Sequence, residues 1–216
     1  LRNRRQRQMC IRDRCLTVDL DAYGRRERDL AKRYRTTSRQ SASGFEYQMR
    51  FSWKDIDRIK SYCDLPIIIK GIATKEDALL AIKHGVEIIY VSNHGGRQLD
   101  FGVGGLNVLP EIVEVVENKA KIIFDGGIMR GTDVLKAMAL GADCVGIGRL
   151  QGFAAAAGGS KAIFRMLELL ETEILTGLRL LGINSLSELD KSYLSKDYAF
   201  DSKNVLSAFP LIDEGY

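Results

Sequence analysis

The feature that most constrains the fold of this chain is the alternation of short apolar runs with longer amphipathic segments. Each run lacks a polar face and ends in polar or glycine residues, and we predict strands at residues 15–19, 66–71, 88–91, 121–124 and 144–147. Such strands are typical of parallel sheets covered on both sides, and ligands bind at the carboxyl ends of those strands. The pattern predicts an α/β fold of the (β/α)8 TIM barrel type, with a doubly wound sheet as the alternative.

The segments between these runs carry helix signals. Ser52 and Thr74 are predicted N-caps of helices that run to about residue 63 and to His84. Further helices are predicted at residues 109–117, 132–140 and 160–182. His84 falls in a last helical turn, where an imidazolium interacts favourably with the helix dipole, so we predict a structural role. Residues 27–34 are a candidate charged helix, and residues 35–44 are a loop that is either a lid or a solvated insertion.

The length of the chain predicts an incomplete barrel. A (β/α)8 barrel has eight strands and about 250 residues, whereas this sequence has 216 residues and five predicted strands. We expect the last five β/α units at residues 15–194, with two open strand edges, followed by a weakly patterned tail at 195–216. Residues 1–14 hold six arginines and one aspartate, and we interpret them as a disordered arm or as non-native sequence.

Composition excludes several classes of protein. The net charge of +4 originates in residues 1–14, so a nucleic-acid-binding function would depend on that segment alone, and we expect none. We see no apolar run long enough to span a membrane and no signal peptide. The four cysteines lack metal-site or disulfide-scaffold spacing. We therefore expect reduced thiols, no metal and a cytoplasmic protein, with peripheral membrane association left open.

The stretch at residues 90–100, YVSNHGGRQLD, is the strongest candidate site. His94 follows the end of a predicted strand, and a neutral imidazole can take a proton near pH 7. Arg97 can hold a carboxylate through two parallel hydrogen bonds. Gly95 and Gly96 allow a sharp turn and a close approach of the backbone to a ligand. The pair suits deprotonation of a small acid, and the alternative is a core histidine beside a surface arginine.

Glycine-rich loops follow the last two predicted strands, at residues 125–131 and 148–149. Exposed backbone N–H groups and the start of the helix near Thr132 favour an anion. Arg149 adds a guanidinium that fits a phosphate. Barrels often bind phosphate with the loops after strands seven and eight, so the two loops together favour a phosphate site over ordinary tight turns.

These stretches together resemble the FMN-dependent α-hydroxy acid oxidases and dehydrogenases, which include glycolate oxidase, lactate oxidase and the flavin domain of flavocytochrome b2. The resemblance covers about residues 15–194 and rests on LTVDLDAYGRRERD, IIIKGIATKEDALLAIKHG, VSNHGGRQLD, FDGGIMRGTDVLKAMALGAD and GIGR. SNHGGRQLD is specific to the family, whereas the DGG and GR motifs also occur in other FMN and phosphate-binding barrels.

The resemblance implies roles for individual residues. His94 is implied as the catalytic base, with Asp19 orienting its imidazole, and Arg97 and Arg26 as ligands of the substrate carboxylate. Lys70 is similar to the lysine beside flavin N1 and the C2 carbonyl, where negative charge collects on reduction. The other implied flavin contacts are Thr17, Ser92, Asp125, Gly126, Gly127, Ile128, Met129, Gly148 and Arg149.

The chain departs from the family pattern at Met129, where the family usually has an arginine that meets the phosphate. Arg130, the next residue, is the candidate replacement. Leu150 stands where the family usually has proline. The family pattern also includes an amino-terminal half, which supplies part of the flavin pocket and which this sequence lacks.

The resemblance implies that FMN is the cofactor and that an L-2-hydroxy acid resembling lactate or glycolate is oxidised to the 2-keto acid. Oxygen, a quinone or a cytochrome would accept the electrons, and the complete protein is expected to be a homo-oligomer. Two alternatives stay open at this point. One is another FMN or phosphate-binding barrel, such as an isopentenyl-diphosphate isomerase or an IMP dehydrogenase-like enzyme. The other is a non-catalytic phosphate-binding fragment.

Overall fold

The structure is a computed structural model that describes residues 12–20, 31–33, 50–99 and 101–195. Four predictions lie wholly or mostly outside these residues: the basic arm up to residue 11, the charged helix at 27–34, the loop at 35–44 and the tail after residue 195. The described residues contain the candidate site except for Arg26 and Asp100.

The strands of the described residues form one parallel sheet. They are β1 (Arg14–Thr17), β2 (Ile67–Ile72), β3 (Ile88–Val91), β4 (Lys121–Asp125) and β5 (Cys144–Gly146). Their spatial order is their order in the sequence, β1-β2-β3-β4-β5. A doubly wound sheet reverses its strand order at a switch point, whereas a barrel wall does not. The five predicted strands are confirmed, and their order is that of a partial barrel.

The helices follow the strands in the expected alternation. They are α1 (Trp53–Lys60), α2 (Lys75–Lys83), α3 (Gly105–Val116), α4 (Gly131–Ala139) and α5 (Arg149–Leu181), followed by 3-10 turns at Leu186–Glu188 and Lys191–Tyr193. Ser52 caps α1 through a capping box with Asp55. The Thr74 side chain caps α2 by accepting a hydrogen bond from the Asp77 amide. Both predicted caps are confirmed.

Two helices begin earlier than predicted. Helix α3 starts at Gly105, whose ideal Cβ would lie 3.1 Å from a ring carbon of Phe124, so close packing on β4 favours glycine there. Helix α5 starts at Arg149 and is interrupted by non-helical angles at Gly158 and Gly159. The alanine run before this break has high helix propensity, although the sequence pattern indicated only small residues.

The helices cover one face of the sheet. Right-handed crossovers between parallel neighbours in sequential order place every helix on the same side. The strand residues on that side are buried, and they form one core with residues of α1 to α4: Ile67, Ile69, Ile89, Val91, Ile122 and Phe124. Alternate residues on the other face, such as Tyr90 and Ile123, are only half-buried. This second face lines the interior in a (β/α)8 barrel, and we call it the open face of the sheet. That both faces are covered stays a prediction.

Helices α4 and α5 meet through a glycine contact. An ideal Cβ on Gly131 would lie 2.5 Å from the Glu173 Cβ and 2.7 Å from the Ile174 amide nitrogen. Only glycine lets the start of α4 approach α5 so closely. In the described part of the chain, none of these helices combines the length and apolarity that a membrane span requires.

Gly131→Ala should destabilise the chain by about 1–3 kcal/mol, since the added methyl group overpacks the contact between α4 and α5. Gly152→Ala is the matched control, because Gly152 lies in α5 with open space where a Cβ would be. Alanine at that helical position should be neutral or stabilising by up to about 1 kcal/mol. Urea unfolding of the two variants measures both values, and equal changes would contradict the contact.

Candidate functional site

The candidate site lies on the open face of the sheet, at the carboxyl ends of the strands. Thr17 pairs in register with Lys70, and Lys70 pairs with Tyr90. Asp125 pairs with Gly146, two residues beyond the partner of Tyr90 on β4. Side chains alternate between the faces of a sheet, so this register brings all five residues to the face opposite the helices.

The His94 loop is a tight 3-10 turn over His94–Gly96. The Asn93 side-chain oxygen accepts a hydrogen bond from the Gly96 amide at 3.1 Å, which closes the turn. His94 has a φ of 54°, and Gly95 a φ of 64°. A left-handed conformation at a non-glycine residue is uncommon, and such residues concentrate at functional sites. The turn displays the imidazole directly beyond the end of β3.

His94 is paired with Asp19. Its Nδ1 lies 2.5 Å from the Asp19 Oδ2, and this contact joins residues that are far apart in the sequence. The Asp19 backbone oxygen also accepts a hydrogen bond from the Gln98 side chain at 3.1 Å. Asp19 fits against β2 because Gly71, at a φ of 113°, has no Cβ; one placed there would lie 2.6 Å from Oδ1. An imidazole held by a carboxylate in this way has a fixed orientation.

Ser92 links the histidine loop to Lys70. Its hydroxyl oxygen accepts hydrogen bonds from the Lys70 Nζ at 2.8 Å and from the His94 amide at 3.2 Å. Ser92 is almost fully buried, so this junction is shielded from water. Lys70 also forms an ion pair with Asp125 at 3.4 Å. One connected network therefore runs from the end of β1 to the end of β4.

A glycine-rich cavity of about 460 Å³ opens beside this network. Its walls include Gly95, Gly126, Gly127 and Arg149. An ideal Cβ on Gly126 or Gly127 would meet nothing within 4 Å, so the backbone at the end of β4 is open to a ligand. Exposed glycine backbone at the carboxyl end of a strand is the usual form of a phosphate cradle.

The two helix N-termini beside this cavity differ in charge. The amides of Met129 and Arg130, at the start of α4, donate to Asp133, and the Gly131 amide donates to Glu173. These carboxylates occupy the positive end of α4, which the sequence pattern had assigned to an anion. Helix α5 begins at Arg149 with no acidic residue in its first turn, so its positive end is the better place for an anionic ligand.

Arg130 is not available to replace the phosphate-binding arginine that the family usually has at the position of Met129. Its Nε donates to the Glu173 Oε1 at 2.7 Å. The Arg130 hydrogen bond is the largest cause of a lowered pKa for Glu173. Arg149 donates its Nη2 to the Gly95 carbonyl at 2.7 Å, and so ties the start of α5 to the His94 loop.

The remaining candidate residues occupy less connected positions. Thr17 ends β1, and Arg97 ends the His94 turn in contact with solvent. Gly148 is the N-cap of α5. Ile128 is buried in the hydrophobic core, so only its backbone can reach a ligand. Arg26 lies outside the described residues.

Several residues of the site escaped the sequence analysis. Gln98 and Asp133 lie within the SNHGGRQLD and FDGGIMRGTDVLKAMALGAD motifs, but their contacts depend on tertiary geometry. Tyr90 was assigned only to an apolar run, although its alternation with Ser92 indicates that both face the same side of β3. Burial raises the pKa of the Tyr90 hydroxyl, and Asp125 raises it further, so this phenol stays protonated at neutral pH.

His84 has the structural role that its position indicated. Its Nδ1 lies 2.7 Å from an oxygen of Asp57, and its ring stacks on Trp53 with centroids 5.4 Å apart. Among the described residues, no cluster of histidine, cysteine and acidic side chains could hold a metal ion. The described cysteines, Cys15, Cys63 and Cys144, are free thiols.

Comparison with known proteins gives one consistent family. A family model described as FMN-dependent dehydrogenase matches residues 4–196. The chain is 40% identical over 199 residues to an L-lactate dehydrogenase (cytochrome) of Wickerhamomyces anomalus, a match that covers 83% of this chain and 35% of the relative. It is 37% identical over 203 residues to an L-lactate oxidase of Nostoc sp., covering 83% of this chain and 56% of the relative.

Solved structures give the same result for the fold. A mutant flavocytochrome b2 with pyruvate bound superposes with a TM-score of 0.77 at 36% identity, covering 87% of this chain and 49% of that one. The chain therefore spans about half the length of the relatives it matches, or less. The matched flavoenzyme fold agrees with a partial barrel.

Gly71→Ala should displace Asp19 and reduce stability by about 1–3 kcal/mol more than a control glycine with similar backbone strain. Gly126→Ala is that control, because Gly126 has a φ of 119°, close to that of Gly71, but nothing where its Cβ would lie. Both variants carry the strain of an alanine at a strongly positive φ, so their difference isolates the contact with Asp19. Urea unfolding provides the measurement, and indistinguishable free energies of unfolding would show that Asp19 does not occupy this position.

Proposed function

The chain belongs to the FMN-dependent dehydrogenase family, and we propose that it forms the part of an FMN-dependent 2-hydroxy acid oxidase or dehydrogenase that carries the proton-abstracting histidine. The observation that carries this proposal is the pairing of His94 with Asp19 in the network that also holds Lys70. A histidine and carboxylate on the open face of a phosphate-binding barrel suit proton abstraction from a small acid. FMN is the cofactor of this family.

His94 acts as the general base. Asp19 engages Nδ1 at 2.5 Å, which leaves Nε2 as the ring nitrogen that takes the proton from the substrate. The Asp19 carboxylate keeps the ring oriented and interacts favourably with the imidazolium that forms. Ser92 and Asn93 fix the loop that carries the ring through their hydrogen bonds to the His94 and Gly96 amides.

Arg97 binds the substrate carboxylate. It ends the same turn that carries His94, so one short turn carries both the base and the carboxylate ligand. A guanidinium can hold a carboxylate through two parallel bonds and thereby orient the α-carbon relative to the base. Arg26 is the second carboxylate ligand in this proposal, on the strength of the family resemblance alone.

The described residues fit the anionic and polar groups of FMN. Gly126 and Gly127 offer open backbone at the end of β4, while Gly148 and Arg149 form the uncompensated positive end of α5. Lys70 supplies a positive charge in the sheet, where it stabilises negative charge on a bound flavin. When bound, FMN accepts the two electrons that leave the substrate as it becomes a 2-keto acid.

The substrate class in this proposal is an L-2-hydroxy acid of the size of lactate or glycolate, because relatives at 36–40% identity carry names for these activities. An isopentenyl-diphosphate isomerase or IMP dehydrogenase-like function is not favoured, since the matched relatives are 2-hydroxy acid enzymes. A non-catalytic phosphate-binding fragment would not need the His94–Asp19 pair. Oxygen or a cytochrome acts as the acceptor in this proposal, and a homo-oligomer remains a prediction.

His94→Gln in the complete enzyme should slow anaerobic reduction of FMN by L-lactate or glycolate by about 10²–10⁴-fold, because it removes the general base. His84→Gln is the matched control, since His84 pairs with Asp57 away from the site, and it should leave the rate nearly unchanged. Stopped-flow absorbance of the flavin measures both rates. A His94→Gln rate equal to the unmutated rate would overturn the assignment.

Met129→Arg should tighten FMN binding about tenfold, because a guanidinium at this position would add a charge-assisted contact to the phosphate. Riboflavin, which lacks the phosphate, should bind the variant as it binds the unmutated chain. Fluorescence titration with the two flavins separates the phosphate effect from a change in the rest of the pocket. Equal tightening of both flavins would contradict a phosphate site beside residue 129.

A further inference from the structure

Tyr90 lies on the open face beside both Lys70 and Asp125, the two charged residues that the proposed function assigns to the flavin. Its ring centroid lies 5.1 Å from the Lys70 Nζ, within the range of a cation–π interaction. Its hydroxyl group and the Asp125 Cβ both adjoin Gly146. Burial raises the pKa of the phenol, and the Asp125 charge raises it further. Lys70 and Asp125 lie 3.4 Å apart as an ion pair, so the three side chains form a closed triangle across β2, β3 and β4.

The chain makes room for the Tyr90 hydroxyl at Gly146. An ideal Cβ at that position would overlap the Tyr90 hydroxyl oxygen and would lie 3.2 Å from the Asp125 Cβ. Gly146 pairs in register with Asp125 on the neighbouring strand. The absence of a side chain at Gly146 therefore leaves room for the Tyr90 phenol beside Asp125.

We propose that Tyr90 is a positioning residue that holds the Asp125 carboxylate and the Lys70 ammonium in place for the flavin, through a hydroxyl group that Gly146 accommodates. The inference rests on the proposed function, in which Asp125 and Lys70 contact FMN. Tyr90 itself need not touch the substrate.

The charges at this site explain why a phenol suits the position. Lys70 and Asp125 form an ion pair. Without a further partner for either group, each charge would be directed only at the other and not at a ligand. In this proposal the Tyr90 hydroxyl donates a hydrogen bond to Asp125, and its ring lies against Lys70. The Ser92 hydroxyl oxygen accepts a hydrogen bond from the Lys70 Nζ at 2.8 Å. Since burial and Asp125 keep the phenol protonated, it remains a donor at neutral pH. Phenylalanine would fill the same space without the donor.

The first test is structural and needs no flavin. In the full 216-residue chain labelled with ¹³Cζ-tyrosine, Tyr90→Phe identifies the Tyr90 resonance by its loss. Asp125→Ala should shift that resonance, because the hydroxyl loses its acceptor. Tyr62, which is 84% exposed, is the control, and its resonance should stay in place. A Tyr90 resonance that Asp125→Ala leaves unmoved would overturn the proposal.

The second test uses flavin binding. Tyr90→Phe should weaken FMN and riboflavin by the same factor of about ten, because Asp125 and Lys70 would contact the part that both flavins share. Tyr62→Phe should change neither. Gly146→Ala should also weaken both flavins, but it should add little further loss in the Tyr90→Phe background, where the clashing hydroxyl is absent. Full additivity of the two substitutions would contradict the role of Gly146.

The failures of the two proposals are distinguishable. A shifted Tyr90 resonance with weakened flavin binding supports the positioning role. A shifted resonance with flavin affinity unchanged by Tyr90→Phe overturns the role but leaves the proposed function intact. A shifted resonance in a complete enzyme that binds no flavin overturns the proposed function, while the contact between Tyr90 and Asp125 stands.

Discussion

The register between neighbouring parallel strands is the constraint on which the rest of the structure depends. Lys70 pairs with Thr17 on one side and with Tyr90 on the other, and Asp125 pairs with Gly146. A slip of one residue would turn every one of these side chains towards the helices and would turn core residues such as Ile89 outwards. Successive side chains of a strand point to opposite faces of the sheet. Burial of the apolar side chains against the helices therefore also determines which polar side chains lie on the open face.

Charge is distributed unevenly around the site, and this gives each part a different task. The start of α4 is neutralised by Asp133 and Glu173, and Arg130 is held by Glu173. The start of α5 keeps its positive end. Lys70 is engaged on Ser92 and Asp125, whereas Arg97 faces solvent. In the proposed function, this arrangement assigns the anion to the start of α5, the flavin to Lys70 and the substrate carboxylate to Arg97, around His94.

Much of this was readable from the sequence. The five strands, the caps at Ser52 and Thr74 and the candidate role of His94 follow from local patterns, because periodicity, capping and glycine turns act over a few residues. The family resemblance predicted the pairing of His94 with Asp19, and the structure gives the distance between the two side chains.

What the sequence could not provide depends on contacts between distant residues. Gly131 was predicted only as part of a glycine-rich loop, yet its position is set by the contact with Glu173. Arg130 looked available for a phosphate, but Glu173, which holds it, lies a whole β/α unit away. Tyr90 was predicted only as part of an apolar run. The sequence does not distinguish a half-buried tyrosine from a core residue until the neighbouring strand is known.

The central claim is that the open face of the sheet, at the carboxyl ends of its strands, is the flavin-binding surface. An FMN titration of the ¹⁵N-labelled chain, followed by amide NMR shifts, tests it most directly. The account predicts shifts at Lys70, Ser92, Gly126, Gly127 and Gly148, with the residues of α2 and α3 unaffected. Shifts confined to the helix-covered side, or an unchanged spectrum at saturating FMN, would contradict it.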